Sequence, residues 1–140
     1  MIVVDRVHTL DDCLEIRRVV FVEEQHVPLA DDVDGLDPGC DQLVARVDGA
    51  LAGTARLRLT EGGRVAKGER LAVLEAYRSR GVGMALIRAL EARARELGCH
   101  ALVGAAQVQA LGFYEALGYV ADGDDFLDAG IVHRHITKTL

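Results

Sequence analysis

The stretch Leu71-Ala72-Val73-Leu74-Glu75-Ala76-Tyr77-Arg78-Ser79-Arg80-Gly81-Val82-Gly83-Met84, running on to Leu97, decides how this chain folds. Its first four residues form a short apolar run, the pattern of a buried strand. From Val82 the apolar residues recur with helical spacing, at Ala85, Leu86, Ala89, Leu90, Ala94 and Leu97. Gly98 can then end the helix in the left-handed conformation. Glu91 and Arg95 lie four apart on the remaining face and read as an exposed pair. Between strand and helix lies the turn Arg78-Ser79-Arg80-Gly81-Val82-Gly83. A helix start carries unpaired N–H groups and a partial positive charge, and it attracts phosphate. Glycines let a ligand approach the backbone, and Arg78 and Arg80 add charge and donors. The segment reads as a pyrophosphate cradle.

Two common cradles are excluded. The dinucleotide fingerprint needs a third small residue where this chain has Leu86, and an acidic residue where it has Ala101-Leu102-Val103. The phosphate loop of nucleotide hydrolases ends in Gly-Lys-Ser/Thr, and this chain has Gly83-Met84-Ala85.

Upstream, Val65–Lys67 and Glu69–Leu74 form the strand that feeds the cradle. Leu43–Val47 and Leu51–Leu59 flank Asp48-Gly49, a strong hairpin signal. Ala55, Leu57 and Leu59 alternate with Thr54, Arg56 and Arg58, which predicts one buried face. Ile2–Val7 is a first strand. A helix capped by Thr9 should carry Leu10, Leu14, Arg17, Arg18 and Phe21 and end near Gln25, before Pro28. Downstream, Ala101–Ala105 is a strand and Gln107–Leu117 a helix capped by Gly118. Tyr119–Ala121 and Ile131–Lys138 are final strands around an Asp/Gly-rich loop. This alternation of hairpins and crossovers predicts an α+β fold with a mixed sheet.

Size and charge narrow the function. The 140 residues suit one domain, residues 1–140, and half of them are hydrophobic, enough for an ordinary core. A net charge of −6 disfavours nucleic acid as a partner and mildly favours a cationic one. Cys13, Cys40 and Cys99 follow no disulfide or zinc spacing. The start of the chain lacks a signal-peptide pattern, and no apolar run spans a membrane, so a cytoplasmic location is expected, with no membrane partner. The loop Asp31–Asp41 holds five aspartates but fails the register of a calcium loop. It reads as a solvated acidic loop, or as a lip that attracts a cationic acceptor. His133 and His135 share a strand face, too few ligands for a metal site, and no metal is expected.

Arg78-x-x-Gly81-x-Gly83 opening a helix after a short apolar strand resembles the coenzyme A motif of the GNAT superfamily of N-acetyltransferases. Gly112-Phe113-Tyr114-Glu115-Ala116-Leu117-Gly118-Tyr119, about thirty residues on, resembles its second hallmark. Val20–Pro28 is similar to a stretch in a subgroup of small bacterial members. The resemblance covers nearly the whole chain. It implies a mixed, mostly antiparallel central sheet with helices on both faces, the acyl-CoA N-acyltransferase-like fold. It also implies direct transfer of an acetyl group from acetyl-CoA to a primary amine of a small molecule or peptide.

On that resemblance, the backbone of Leu71, Ala72 and Val73 pairs with pantetheine on a bulged strand, and the Val73 amide is the oxyanion donor. Arg78, Ser79, Arg80, Gly81, Val82, Gly83 and Met84 hold the pyrophosphate. Tyr114 protonates the leaving thiolate. Glu24, Glu69 and His133 are candidates for the base that deprotonates the amine. Glu75 departs from a proline common in the superfamily, and Gln107 stands near a position often filled by asparagine. A homodimer, a non-catalytic acyl-CoA sensor, and an acyltransferase with another acyl chain or a hydroxyl acceptor stay open as alternatives.

Overall fold

Asp48 and Gly49 both take positive φ, 49° and 87°, and Ala129 and Gly130 do the same at 51° and 78°. Two-residue turns of this kind match the twist of paired strands and set the hairpins of the sheet. The structure is a computed structural model describing residues 1–140. In chain order it comprises β1 (Ile2–Val7), α1 (Asp11–Arg17), a π-helical segment (Arg18–Glu24) and α2 (Leu29–Asp32). Next come β2 (Asp41–Val47), β3 (Ala50–Thr60), β4 (Val65–Val73) and α3 (Val82–Glu96). Last are β5 (Ala101–Gln107), α4 (Leu111–Ala116), β6 (Val120–Asp128) and β7 (Ile131–Thr139). The seven strands form one sheet in the order β1-β2-β3-β4-β5-β7-β6, and only β4 and β5 run parallel. The mixed, mostly antiparallel sheet is the one expected.

Strand alternation divides the core between the two faces. Leu43, Ala45, Leu57, Ala66 and Leu102 pack with Leu86, Ile87 and Leu90 of α3. Val44 and Ala72 pack on the other face with Cys13, Ile16 and Val20 of the first helix. Helices therefore cover both faces.

Five local expectations are corrected. The second face of β3 is not open: Thr54 and Arg56 are as buried as Ala55 and Leu57, because α1 and the acidic loop cover them. Glu91 is not exposed beside Arg95; it is buried and accepts hydrogen bonds from Tyr119 Oη (2.8 Å), Arg88 (2.9 Å) and Lys138 Nζ (3.1 Å). The first helix starts at Asp11 without a side-chain cap from Thr9. Gln107 ends β5 rather than opening a helix, and the Asp/Gly-rich segment is an irregular stretch within the β6–β7 hairpin.

The acidic loop is only partly solvated. Asp32 and Asp37 are almost fully buried, and Arg17 donates to both. Arg56, itself wholly buried, donates to Asp34 (2.6 Å), Asp37 (3.1 Å) and Glu69 (3.2 Å). Arg70 reaches Asp31 O, Asp32 O and Asp34. Of the loop's carboxylates, Asp32, Asp34 and Asp37 are paired with arginines from α1, β3 and β4, and Asp41 with Arg93 of α3. Burying such charges is tolerable only when they are paired and hydrogen-bonded.

Candidate active site

The site begins with a defect in β4. Ala72 is opposite Thr54 and Glu69 is opposite Arg56, so β4 carries one residue more than β3 over this interval. Arg70, inside the bulge, has φ 57°, a left-handed conformation rare for a side-chain-bearing residue. On its other edge β4 pairs with β5 only from Val65 to Lys67. Beyond Lys67 the two parallel strands part, and β5 continues to Gln107 paired with β7 alone.

This divergence leaves backbone groups of β4 without a partner strand. Leu74 N–H donates to Ala52 O at 2.8 Å, so Leu74 faces β3. Antiparallel ladders alternate, so Ala72 also faces β3 and Val73 turns its N–H and C=O toward the gap. Of the three residues expected to expose their backbone, Ala72 is engaged in the ladder and Val73 is directed into the opening. The Val73 carbonyl accepts from Arg78 Nε at 3.0 Å.

The gap opens into a cavity of about 300 Å³. Glu69, Leu71, Tyr114 and His133 line it, with Phe21, Gln25, Arg70, Gln107 and Phe113. Glu24 does not line it. The α3 end of the cradle adjoins the opening. Gly81 is the N-cap at φ 85°, and the first intrahelical bond is Ala85 N–H to Gly81 O. The N–H groups of Val82, Gly83 and Met84 therefore have no helical partner, and the first turn holds no acidic residue. A Cβ on Gly83 would lie 3.4 Å from Phe113 Cζ and 4.0 Å from Val73 Cγ2. That glycine is where α3, α4 and the end of β4 approach one another. Among the remaining cradle residues, Ser79 is left-handed at φ 61° and Arg80 lies over the Tyr77 ring, 5.5 Å from its centre.

Tyr114 packs edge-on against Phe113 (5.0 Å between centroids) and Tyr119 (5.9 Å). Burial pushes its phenol up to about 12, so it carries its proton at all ordinary pH values. Tyr119 is in turn held by Glu91.

The three candidate bases differ. Glu24 accepts two hydrogen bonds of 2.7 Å from Arg78, which hold its carboxyl below the ordinary range. Burial works to raise Glu69, yet Arg58, Arg56 and Lys67 together hold it low. A carboxylate held low is a weak base. His133 Nδ1 lies 2.7 Å from Ile131 O. A carbonyl only accepts, so Nδ1 carries the hydrogen and Nε2 keeps a lone pair able to take a proton.

Sequence reasoning assigns no site role to Gln25, Phe113 or Arg70. Gln107 Nε2 donates to Gln25 Oε1 at 3.0 Å, across residues 82 positions apart. The oddity of Gln107 in its motif was the one available signal for that contact.

A model of the acetyltransferase (GNAT) family matches residues 10–119. The chain is 38% identical over 130 residues to YjcF, an uncharacterised N-acetyltransferase of Bacillus subtilis (strain 168), covering 92% of this chain and 91% of the relative. Its fold superposes on an acyl-CoA N-acyltransferase from Pseudomonas aeruginosa with a TM-score of 0.84, at 29% identity and 99% coverage of both chains. An aminoglycoside 6'-N-acetyltransferase solved with coenzyme A shares the fold, with a TM-score of 0.79 at 15% identity over 98% of this chain and 96% of that one.

Proposed function

The chain belongs to the GNAT acetyltransferase family, and from that premise we propose that it transfers an acetyl group from acetyl-CoA directly to a primary amine of a small molecule or peptide. The observation that carries this reading is the parting of β4 and β5 beside the bulge, which leaves Val73 N–H without a partner strand two residues beyond Leu71, and Leu71 and Tyr114 both line the cavity. Acetyl-CoA supplies the activated thioester. The residues present fit it: an acid-free helix start with three unpartnered N–H groups suits a pyrophosphate, and Gly83 keeps the approach open. The free edge of β4 suits pantetheine amides as an added strand.

Each step then has a residue. Val73 N–H stabilises the charge that develops on the carbonyl oxygen. His133 Nε2 takes the proton of the incoming ammonium, directly or through water. Tyr114 Oη gives its proton to the departing sulfur. Its raised pKa keeps it loaded at neutral pH, and the acidity of a thiol near 8.5 makes the sulfur a modest proton acceptor. The reaction belongs in the cytoplasm, where acetyl-CoA and amines meet.

The test is release of free CoA from acetyl-CoA across a panel of polyamines, amino sugars, amino acids and short lysine peptides. Amine-dependent release is expected for at least one class. Tight acetyl-CoA binding with no release on any amine would favour an acyl-CoA sensor, and faster release from a longer acyl-CoA would change the donor.

A further inference from the structure

Glu24 and Gln25 end the π-helical segment, and they reach opposite lips of the parted strands. Glu24 holds Arg78 through two hydrogen bonds of 2.7 Å, and Arg78 Nε holds the Val73 carbonyl at the end of β4. Gln25 accepts from Gln107 Nε2, the last residue of β5. We propose that Glu24 and Gln25 form a two-point strap that fixes the width of the cleft, so that the Val73 amide and Tyr114 act on the same thioester. Glu24 and Arg78 are then positioning residues: neither the base nor the pyrophosphate donor. This inference rests on the proposed acetyl transfer.

Three features carry it. The first is local geometry. Gln25 N–H bonds Val20 O, the five-residue closure of a π-turn, Val27 N–H reaches Phe21 O one residue wider still, and His26 between them has φ 60°. Such insertions change where side chains point, and they cluster at functional sites. Here the result is that two adjacent side chains serve different strands. The second is the engagement of Arg78. Its Nε and both terminal nitrogens are already used by Val73 and Glu24. Because Val73 O is fixed, rotation of the residue whose N–H faces the opening is restrained.

The third is exposure. The Arg78 and Glu24 side chains are 38% and 37% exposed. Pairs so accessible contribute little to stability. A bidentate pair with little structural worth, placed where the acceptor side of the cleft meets the cradle turn, is better accounted for by alignment than by folding. Reacting atoms are sensitive to such alignment: a displacement of about 1 Å can cost on the order of a hundredfold in rate.

The experiment uses the whole protein, acetyl-CoA and the most active amine of the panel above. Glu24→Gln, Arg78→Lys, Gln25→Ala and the Glu24→Gln/Arg78→Lys double variant are compared with wild type. Readouts are kcat, KM for the amine, acetyl-CoA Kd by calorimetry, Tm and the pH profile. The strap predicts that each single variant loses roughly ten- to a hundredfold in kcat. It also predicts that Kd and Tm stay near wild type, that the double variant is no worse than its singles, and that Glu24→Gln keeps the acid limb of the profile.

Loss of that limb only in Glu24→Gln would make Glu24 the base. A tenfold weaker acetyl-CoA Kd in Arg78→Lys would make Arg78 a cofactor ligand. A change confined to amine KM would make Glu24 an acceptor contact, and a large fall in Tm would make the pair a fold contact. Each of these, or unchanged kcat in all variants, overturns the strap. A wild type that neither binds acetyl-CoA nor releases CoA would instead sink the underlying reading.

Discussion

The two halves of the cleft are built by different means. On the proposed reading the cradle half works through backbone: Val73 N–H at the parted strands, and the N–H groups of Val82, Gly83 and Met84 at the start of α3. On the same reading the acceptor half works through side chains gathered from the π-helical segment, α2, β4 and β7, and behind it lies the ion network around Arg17, Arg56 and Arg70. A backbone site makes few demands on residue identity beyond glycine where the chain must turn or be approached. Side chains at the cavity wall can be exchanged without disturbing the sheet, whereas the buried ion network behind them cannot. One half can therefore stay constant in chemistry while the other changes acceptor.

The largest expected effect separates the halves by stability. Arg56 is completely buried among Asp34, Asp37 and Glu69. Arg56→Met removes one cation from all three carboxylates, leaving Asp37 to Arg17, Asp34 to Arg70 and Glu69 to Arg58, and should cost about 3 kcal/mol, the low end for loss of one partner of a buried ion pair. Urea denaturation would measure it; a loss below about 1 kcal/mol would mean that the network behaves as a surface one. The same network predicts acid sensitivity. Arg56 holds Asp34 well below its usual range, and arginines overcome the effect of burial on Asp37 and Glu69. Groups with depressed folded pKa stabilise fully above their unfolded values, about 4. That contribution is lost as pH falls through the folded values, so stability should drop below about pH 4 in wild type and less steeply in Arg56→Met.

Next in size is Tyr114→Phe. It removes one hydroxyl, keeps the packing against Phe113 and Tyr119, and should lower kcat by roughly a hundredfold, the scale of general acid catalysis. Acetyl-CoA affinity should change little, because the hydroxyl matters as charge develops on sulfur. The defect should shrink at high pH, where the thiolate leaves unaided. Near-normal turnover at neutral pH would return Tyr114 to the core.

The smallest effect sharpens the reading of the cradle. Gly81 sits at φ 85°, so Gly81→Ala should destabilise the ligand-free protein by roughly 1–2 kcal/mol. Gly83 has ordinary helical backbone, so Gly83→Ala should leave that stability unchanged or raised by about 0.5–1 kcal/mol. Its added methyl lies toward Phe113 and Val73, so acetyl-CoA binding should weaken. Equal behaviour of the two variants in thermal melts with and without acetyl-CoA would refute the division of labour.

This contrast explains what was legible. The strand, the glycine turn and α3 are contiguous, and their periodicity and glycine spacing show in a single window of sequence. The α+β sheet and the Asp48-Gly49 turn follow from equally local signals, whereas the Ala129-Gly130 turn lies in a stretch that reads only as an Asp/Gly-rich loop. The acceptor half was misread because its logic is nonlocal. Asp31–Asp41 looks like solvated charge until Arg17, Arg56 and Arg70 arrive from other elements. Glu91 looked exposed because helical spacing cannot reveal that Tyr119 and Lys138 will cover it. A π-turn has no reliable sequence signature, so the pairing of Gln25 with Gln107 could not be foreseen.

The parted edge of β4 is the proposed acetyl-CoA platform. Amide hydrogen exchange resolved by NMR tests it residue by residue, with and without saturating acetyl-CoA. Ala72 N–H faces β3 and should be protected in both states. Val73, Val82, Gly83 and Met84 should exchange readily in the free protein and slow on addition of acetyl-CoA. New protection at Val73 together with the α3 start is the predicted result. Saturating acetyl-CoA that leaves Val73 exchange unchanged while protecting another surface would contradict the claim.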